Sequence, residues 1–222
     1  MIKPIRDLFA IVEIFKSIEG EGIRTGLPTV FVRFSGCNLR CGYCDTTYGQ
    51  TNDNSLWLTK EEICHSILSY NCKNITFTGG EPLLYVDFIN WFTSNKRFCN
   101  YSVNIETNGS RPISEVCGHS FIITMDFKCV SSGMSAKMDL SNFQYLHKHD
   151  VLKFVVGTDE DLAQVEKIIY EYNPICHIYL SPVFGIMDFK KLASFVIDRH
   201  FLNLRIGLQI HKIIWNPDTR GV

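Results

Sequence analysis

The chain has 222 residues, enough for one ordinary domain with a full core, and residues 1–222 are expected to form one unit. Its 22 basic and 23 acidic residues give a formal net charge of −1, which argues against a nucleic-acid or anionic-membrane binder. No apolar run is long enough to span a bilayer, and Lys3, Pro4, Arg6 and Asp7 stand where a signal peptide needs an apolar stretch, so a soluble, cytoplasmic protein is expected.

Residues 8–15 are apolar and β-branched and read as a strand, followed by a flexible loop over 16–28 that carries Gly20, Gly22 and Gly26. A second strand, 29–34, feeds a loop with cysteines at 37, 41 and 44. Thr59-Lys60-Glu61-Glu62 has the form of a capping box opening a helix to about Tyr70, with Ile63, Ile67 and Leu68 on one face. Strand and helix then alternate. Strands are expected over 74–78 (closed by Gly79-Gly80), 101–106 (closed by Asn108-Gly109), 120–127, 151–156, 176–180 and 204–210. Helices are expected over 86–95, from an N-cap at Thr158 to Tyr172, and over 188–200. The nearly continuous apolar sequence of 120–127 predicts a strand covered on both faces. Right-handed βαβ crossovers then give a parallel sheet, and about six units make it an α/β fold of the partial, open (βα)6 barrel type. Loops at the carboxyl ends of such strands build the site.

The nine cysteines fall into two sets. Cys64, Cys72, Cys99, Cys117, Cys129 and Cys176 are scattered with no framework spacing and read as small hydrophobes in a reducing compartment. Cys37, Cys41 and Cys44 converge on one Gly-bearing loop. Three thiolates can hold one metal centre while leaving a coordination position open, as a catalytic centre does. The spacing C-x3-C-x2-C matches no paired structural-zinc pattern, so a 4Fe–4S cluster with an open fourth iron is expected. The alternative is a zinc knob completed by a histidine such as His65.

C-x3-C-x2-C after one strand, followed by Gly79-Gly80-Glu81-Pro82 after the next, resembles the radical S-adenosylmethionine superfamily. The resemblance implies a 4Fe–4S cluster on Cys37, Cys41 and Cys44, whose unique iron chelates S-adenosylmethionine. Tyr43 matches an aromatic position near the adenine, and Gly79 and Gly80 match a backbone edge that approaches the cofactor. A narrower resemblance rests on Phe15-Lys16-Ser17-Ile18-Glu19-Gly20-Glu21-Gly22, Cys44-Asp45-Thr46, Glu106-Thr107-Asn108-Gly109 and Leu208-Gln209-Ile210-His211-Lys212-Ile213-Ile214-Trp215. Together with the motifs above, these are similar to the 7-carboxy-7-deazaguanine synthases, small radical S-adenosylmethionine lyases of queuosine and deazapurine biosynthesis with a truncated barrel.

That resemblance implies 6-carboxy-5,6,7,8-tetrahydropterin as substrate, Mg2+ held by Thr46 beside the substrate carboxylate, flavodoxin or ferredoxin as reductant, and a homodimer. The implied cofactor contacts are Tyr43, Cys44, Asp45, Gly80, Asp126, Phe127, Lys128, Ser181, Pro182, Val183 and Phe184. The sequence departs from commoner family forms at Asp126-Phe127 and Ser181, so backbone contacts carry over there more readily than side-chain roles. Substrate contacts are expected from Ile18, Glu19, Gly20, Arg33 and Thr78. Glu19 offers a carboxylate to a paired N–H/NH2 edge, and Arg33 a bidentate fork to the substrate carboxylate, a structural ion pair being the alternative for Arg33. Glu106 and Asn108 are in line to reach a ribose hydroxyl, and His211 and Trp215 to close the pocket. Two rival readings remain open: a glycyl-radical-enzyme activase and a non-enzymatic zinc-binding module.

Overall fold

A computed structural model describes residues 8–53, 55–116 and 121–222. Nine strands form one sheet in the order β3-β1-β2-β4-β5-β6-β7-β8-β9. The strands are β1 (Leu8–Ile18), β2 (Pro28–Phe34), β3 (Leu56–Thr59), β4 (Asn74–Gly79), β5 (Ser102–Thr107), β6 (Phe121–Lys128), β7 (Val151–Val156), β8 (His177–Pro182) and β9 (Leu204–Ile206). From β2 onward every neighbour pair is parallel, whereas β1 runs antiparallel to both β2 and β3. The parallel run is therefore β2 and β4 to β9, one strand longer than expected, with an antiparallel edge added. This is the open partial barrel.

Helices α1 (Lys60–Ser69), α2 (Val86–Ser94), α3 (Asp159–Tyr172) and α4 (Phe189–Arg199) cover one face of the sheet, and a short α5 (His211–Ile214) follows β9. The Thr59–Glu62 capping box is present, and Thr158 forms a second one with Asp161. Regular alternation fails in the middle. Among the described residues, the β5–β6 and β6–β7 crossovers contain 3-10 turns and no α-helix, so the barrel is truncated there. Edge strand β3 escapes the sequence reading because Leu56 and Trp57 are exposed and give no half-buried alternation. The expected strand over 204–210 stops at Ile206, where the chain leaves the sheet. Ser120, the first residue of the strand expected over 120–127, lies outside the described residues.

The core lies between the sheet and its helices. Val32, Phe34, Ile75, Phe77, Ile105, Met125, Phe127, Leu152, Phe154 and Leu180 point into it, and Phe34, Phe77, Phe88 and Phe92 stack there in tilted and edge-to-face pairs. With a period of two, the intervening residues face the other way. These are Thr76 and Thr78 on β4, Asn104 and Glu106 on β5, Thr124, Asp126 and Lys128 on β6, Lys153 on β7 and Ser181 on β8. The strands expected to be apolar on both faces thus line a polar barrel interior, and register sets its layers: Arg33 pairs with Thr78, Glu106 with Thr124, and Asp126 with Lys153.

Candidate active site

Backbone hydrogen bonds seat the cysteine loop on the carboxyl end of β4. Gly80 N donates to Phe34 O (3.0 Å), Glu81 N to Gly36 O (2.9 Å) and Gly36 N to Gly49 O (2.9 Å). Gly79 has φ +131°, and a Cβ there would lie 2.1 Å from Phe34 O; one on Gly80 would lie 2.0 Å from Gly36 O. Only glycine permits this approach. The Gly-Gly pair therefore has a cause beyond access to a cofactor: it lets the two loops touch. The buried Glu81 carboxylate accepts from Leu83 N, Thr107 Oγ1 and Asn108 N (2.9, 2.8 and 2.7 Å), which fixes the loop after β5. Asn108 in turn points Nδ2 at Cys37 Sγ (3.7 Å), and Leu39 N donates to the same sulfur (3.4 Å). Gly42 N bonds Ser132 O (3.0 Å) and anchors the far side of the loop.

Cys37, Cys41 and Cys44 are free thiols, all partly buried. Burial pushes the Cys37 and Cys41 thiols up, and the neighbouring cysteines add to it, so loading a metal centre must displace protons. Among the described residues, no three His, Cys, Asp or Glu side chains close on a single metal ion.

Below the loop, the barrel interior is crowded with charge. Lys153 Nζ contacts Glu21 Oε2 and lies 3.3 Å from Asp126 Oδ2, which also pairs with Lys128 Nζ at 2.9 Å. Burial works against the charge on Lys153, but Glu21, Asp126 and Glu106 outweigh it and hold the ammonium well above its ordinary value. Burial likewise opposes charge on Glu21 and Asp126, yet their lysine partners hold both carboxyls low. Glu106 differs. Burial and then the nearby Glu19 raise it to about 7, against the pull of Lys153 and a hydrogen bond from Thr78.

The floor is an ion pair. Arg24 Nη2 lies 2.9 Å from Glu19 Oε2 and donates to Thr76 Oγ1 (2.8 Å), while Thr76 Oγ1 donates to the same Glu19 oxygen (2.7 Å). This corrects one expectation: both lone-pair sites of Oε2 are taken, so Glu19 cannot receive a paired edge across its two oxygens and offers Oε1 alone. Arg33 is also partly engaged, with Nε 2.8 Å from Glu13 Oε1, to which Tyr48 donates at 3.3 Å.

After β9 the chain crosses the barrel mouth. Gln209 Nε2 donates to Glu21 Oε1, Ile210 N to Gly20 O (3.1 Å) and Lys212 Nζ to Asp45 Oδ2 (2.8 Å). His211 packs so closely that a Cβ on Gly20 would lie 2.0 Å from its Nδ1. This strap joins the 19–27 loop to the cluster loop. Desolvation works to raise Asp45, but Lys212 outweighs it and holds the carboxyl down at about 2, with Thr46 Oγ1 donating from 3.1 Å.

Comparison with known proteins converges with this geometry. Residues 31–117 match the radical SAM superfamily model. The chain is 41% identical over 219 residues to a 7-carboxy-7-deazaguanine synthase of Clostridium acetobutylicum, covering 96% of this chain and 99% of that protein. The chain belongs to the 7-carboxy-7-deazaguanine synthase family. A relative of the same name from Methanospirillum hungatei is 38% identical, over 93% of this chain and 86% of its own length. The crystal structure of QueE from Escherichia coli shares the fold, with TM-score 0.72 at 22% identity over 91% of this chain and 94% of that one. These matches favour the synthase over the activase and zinc-module readings.

Membership implies a 4Fe–4S cluster and S-adenosylmethionine, and the donors present fit the cluster: three soft sulfurs on one loop, with N–H donors at Cys37 Sγ. Of the expected cofactor contacts, Tyr43 reaches across the barrel to Val155 O (3.2 Å), and Asp126 and Lys128 point inward. The Phe127 side chain lies in the opposite-facing core, so a contact there is limited to its backbone. Ser181 Oγ is buried without a protein partner, against Gly207. Pro182 and Val183 are buried, while Phe184 is exposed beside Lys212 Nζ at 5.7 Å. Ile18 ends β1, and Gly20 takes its place under His211. Sequence reasoning singled out neither Arg24 nor Lys153. A lysine inside the apolar run Val151-Leu152-Lys153-Phe154 is the signal that was available for the second.

Proposed function

We propose that this chain converts 6-carboxy-5,6,7,8-tetrahydropterin to 7-carboxy-7-deazaguanine with loss of ammonia. The observation that carries the reading is the charged, hydrogen-bonding barrel interior directly beneath a three-cysteine loop, in a chain of this family. The product and one ammonia together contain all the atoms of the substrate, so no net oxidant is required. The chemistry supplied by the cluster with S-adenosylmethionine, when bound, is one-electron cleavage to the radical that takes the C6 hydrogen.

The protein's own groups bind and orient. Ile18, Glu19, Gly20, Arg33 and Thr78 take the substrate, with Glu19 Oε1 accepting from the pterin and the Nη groups of Arg33 meeting its carboxylate. Thr46 would hold a Mg2+ beside that carboxylate, and Asp45 would add negative charge there. Tyr43, Cys44, Asp45, Gly80, Asp126, Lys128, the backbone of Phe127, and residues Ser181, Pro182, Val183 and Phe184 take the S-adenosylmethionine. The strap excludes water from above. We read the chain as one domain and a cytoplasmic homodimer reduced by flavodoxin or ferredoxin; eight free thiols among the described residues fit a reducing compartment.

An anaerobic assay with reductant, S-adenosylmethionine, Mg2+ and the carboxytetrahydropterin tests the reading. The expected product is 7-carboxy-7-deazaguanine. A fully loaded enzyme that cleaves S-adenosylmethionine but never forms that product would sink it.

A further inference from the structure

Arg24 sits in a 3-10 turn (Gly22–Arg24) between β1 and β2, yet only 6% of it is exposed. Its guanidinium spans the amino ends of two parallel strands. Nη1 donates to Ser102 O (3.0 Å) and Ser102 Oγ (3.3 Å), and Nη2 reaches Ile75 O (3.2 Å), Thr76 Oγ1 and Glu19 Oε2. A lysine, with three donors at one point, cannot cover this span. The backbone of Glu19 is held as well: its N donates to Leu27 O (2.8 Å), and its O accepts from Gly26 N (2.8 Å). Main chain and Oε2 are thus both fixed, and among the described residues none hydrogen-bonds Oε1. Its partner Thr76 lies on the inner face of β4, between the core residues Ile75 and Phe77, which puts the Glu19 carboxylate at the inner space of the barrel rather than behind it.

A buried ion pair of this kind is weak evidence of stabilisation, because desolvating two charges offsets most of their attraction. Its use here is geometric. We propose that Arg24, with Thr76, is a positioning residue that locks the Oε2 side of Glu19 into the barrel floor, so that Oε1 alone faces the interior as the acceptor for a ring N–H of the substrate. This rests on the substrate reading given above. Substrates are then selected at this end by one well-placed N–H donor, and a ligand with an acceptor at that position is rejected because it would leave Oε1 buried and unpaired.

The test is steady-state kinetics on the reconstituted enzyme under anaerobic conditions, with iron content and thermal midpoint measured on every variant. Arg24→Met should raise KM for the carboxytetrahydropterin about 10-fold while kcat stays within about twofold and KM for S-adenosylmethionine is unchanged. Thr76→Val, an isosteric change that keeps the strand, should raise the same KM by about threefold. Combining Arg24→Met with Glu19→Gln should be no worse than Glu19→Gln alone, since both act through one oxygen. Multiplying effects in the double variant would overturn the proposal, as would a Thr76→Val enzyme with unchanged KM. That second result decides the matter if Arg24→Met fails to fold. A wild-type enzyme that cleaves S-adenosylmethionine but never consumes the pterin removes the underlying reading, and this proposal with it. Wild-type turnover without the KM shift removes the proposal alone.

Discussion

At the inner face of β5, Glu106 meets the carboxylate of Glu19 across the barrel and the ammonium of Lys153 beside it. Of the interior carboxylates Glu19, Glu21, Asp126 and Glu106, the first three have close cationic partners in Arg24, Lys153 and Lys128. Burial and Glu19 therefore lift Glu106 from 4.5 to about 7. Because the folded value is raised, the folded state binds the extra proton: the benefit is complete below about pH 4.5 and is lost as pH rises through about 7. Glu106→Gln should remove this dependence, and denaturant titrations at pH 5 and pH 8 should show the wild type losing on the order of 2 kcal/mol relative to the variant. Parallel pH profiles would show that Glu106 is not the titrating group. Thr46 permits a second test at the same scale. Its hydroxyl donates to Asp45 Oδ1 (3.1 Å) and lies outside the three-sulfur donor set, so Thr46→Ala should raise the Mg2+ concentration for half-maximal activity by about 10-fold with iron content unchanged. Equal loss of iron would make Asp45-Thr46 a structural turn.

Among the elements, α3 and the strap do most to fix the site from outside the strands. The first turn of α3 turns the buried Asp161 back on the loop before it and on the turn after β6. Its carboxylate accepts from Gly157 N (2.7 Å), Thr158 N (3.1 Å), Ser131 N (2.9 Å) and Ser131 Oγ (2.5 Å). The neighbouring Ser132 O holds Gly42 of the cluster loop. Asp161→Ala leaves those donors unpaired and should cost about 3 kcal/mol in urea titrations, together with faster iron loss to a chelator. Destabilisation without faster iron loss would uncouple α3 from the loop. The strap is held more loosely: Lys212 is mostly covered, but the Asp45 side chain is 60% exposed. Lys212→Met should therefore cost no more than about 1 kcal/mol globally, yet speed hydrogen exchange over residues 207–215. Unchanged exchange there would mean that Gln209 and Ile210 hold the strap by themselves. Capping boxes and glycines at strand ends were legible in the sequence because their causes are local. The strap was not: residues 204–210 have strand composition, and only the contacts with Gly20 and Glu21, nearly 190 positions away, take them off the sheet. Arg24 was hidden for the same reason, since its partners lie on β4 and β5.

Across the whole molecule, the core and the candidate site occupy opposite faces of one sheet. Phe34, Phe77, Phe88 and Phe92 are fully buried on the helix side, while Cys37 and Cys41 only pack against the margin of that core. Period-two alternation made the helix side readable; Thr78, Glu106, Asp126 and Lys128 of the polar interior were reached through the family resemblance, whereas Thr124 and Lys153 sit in strands otherwise apolar enough to suggest cover on both faces. This separation distinguishes the chain from small zinc domains, in which metal binding supplies the folding free energy itself. Here the sheet is held by its parallel and antiparallel ladders and by aromatic packing that involve none of the three cluster sulfurs. Removing the cluster by chelation under reducing conditions should therefore leave far-UV circular dichroism unchanged and lower the thermal midpoint by only a few degrees. Limited proteolysis should then cut within residues 37–49, which are held by separate bonds such as those of Gly42 to Ser132, Tyr43 to Val155 and Asp45 to Lys212 rather than by the ladders of the sheet. Cooperative loss of β-structure together with the iron would show that the cluster is part of the folding core, and that the site is not separable from the scaffold that carries it.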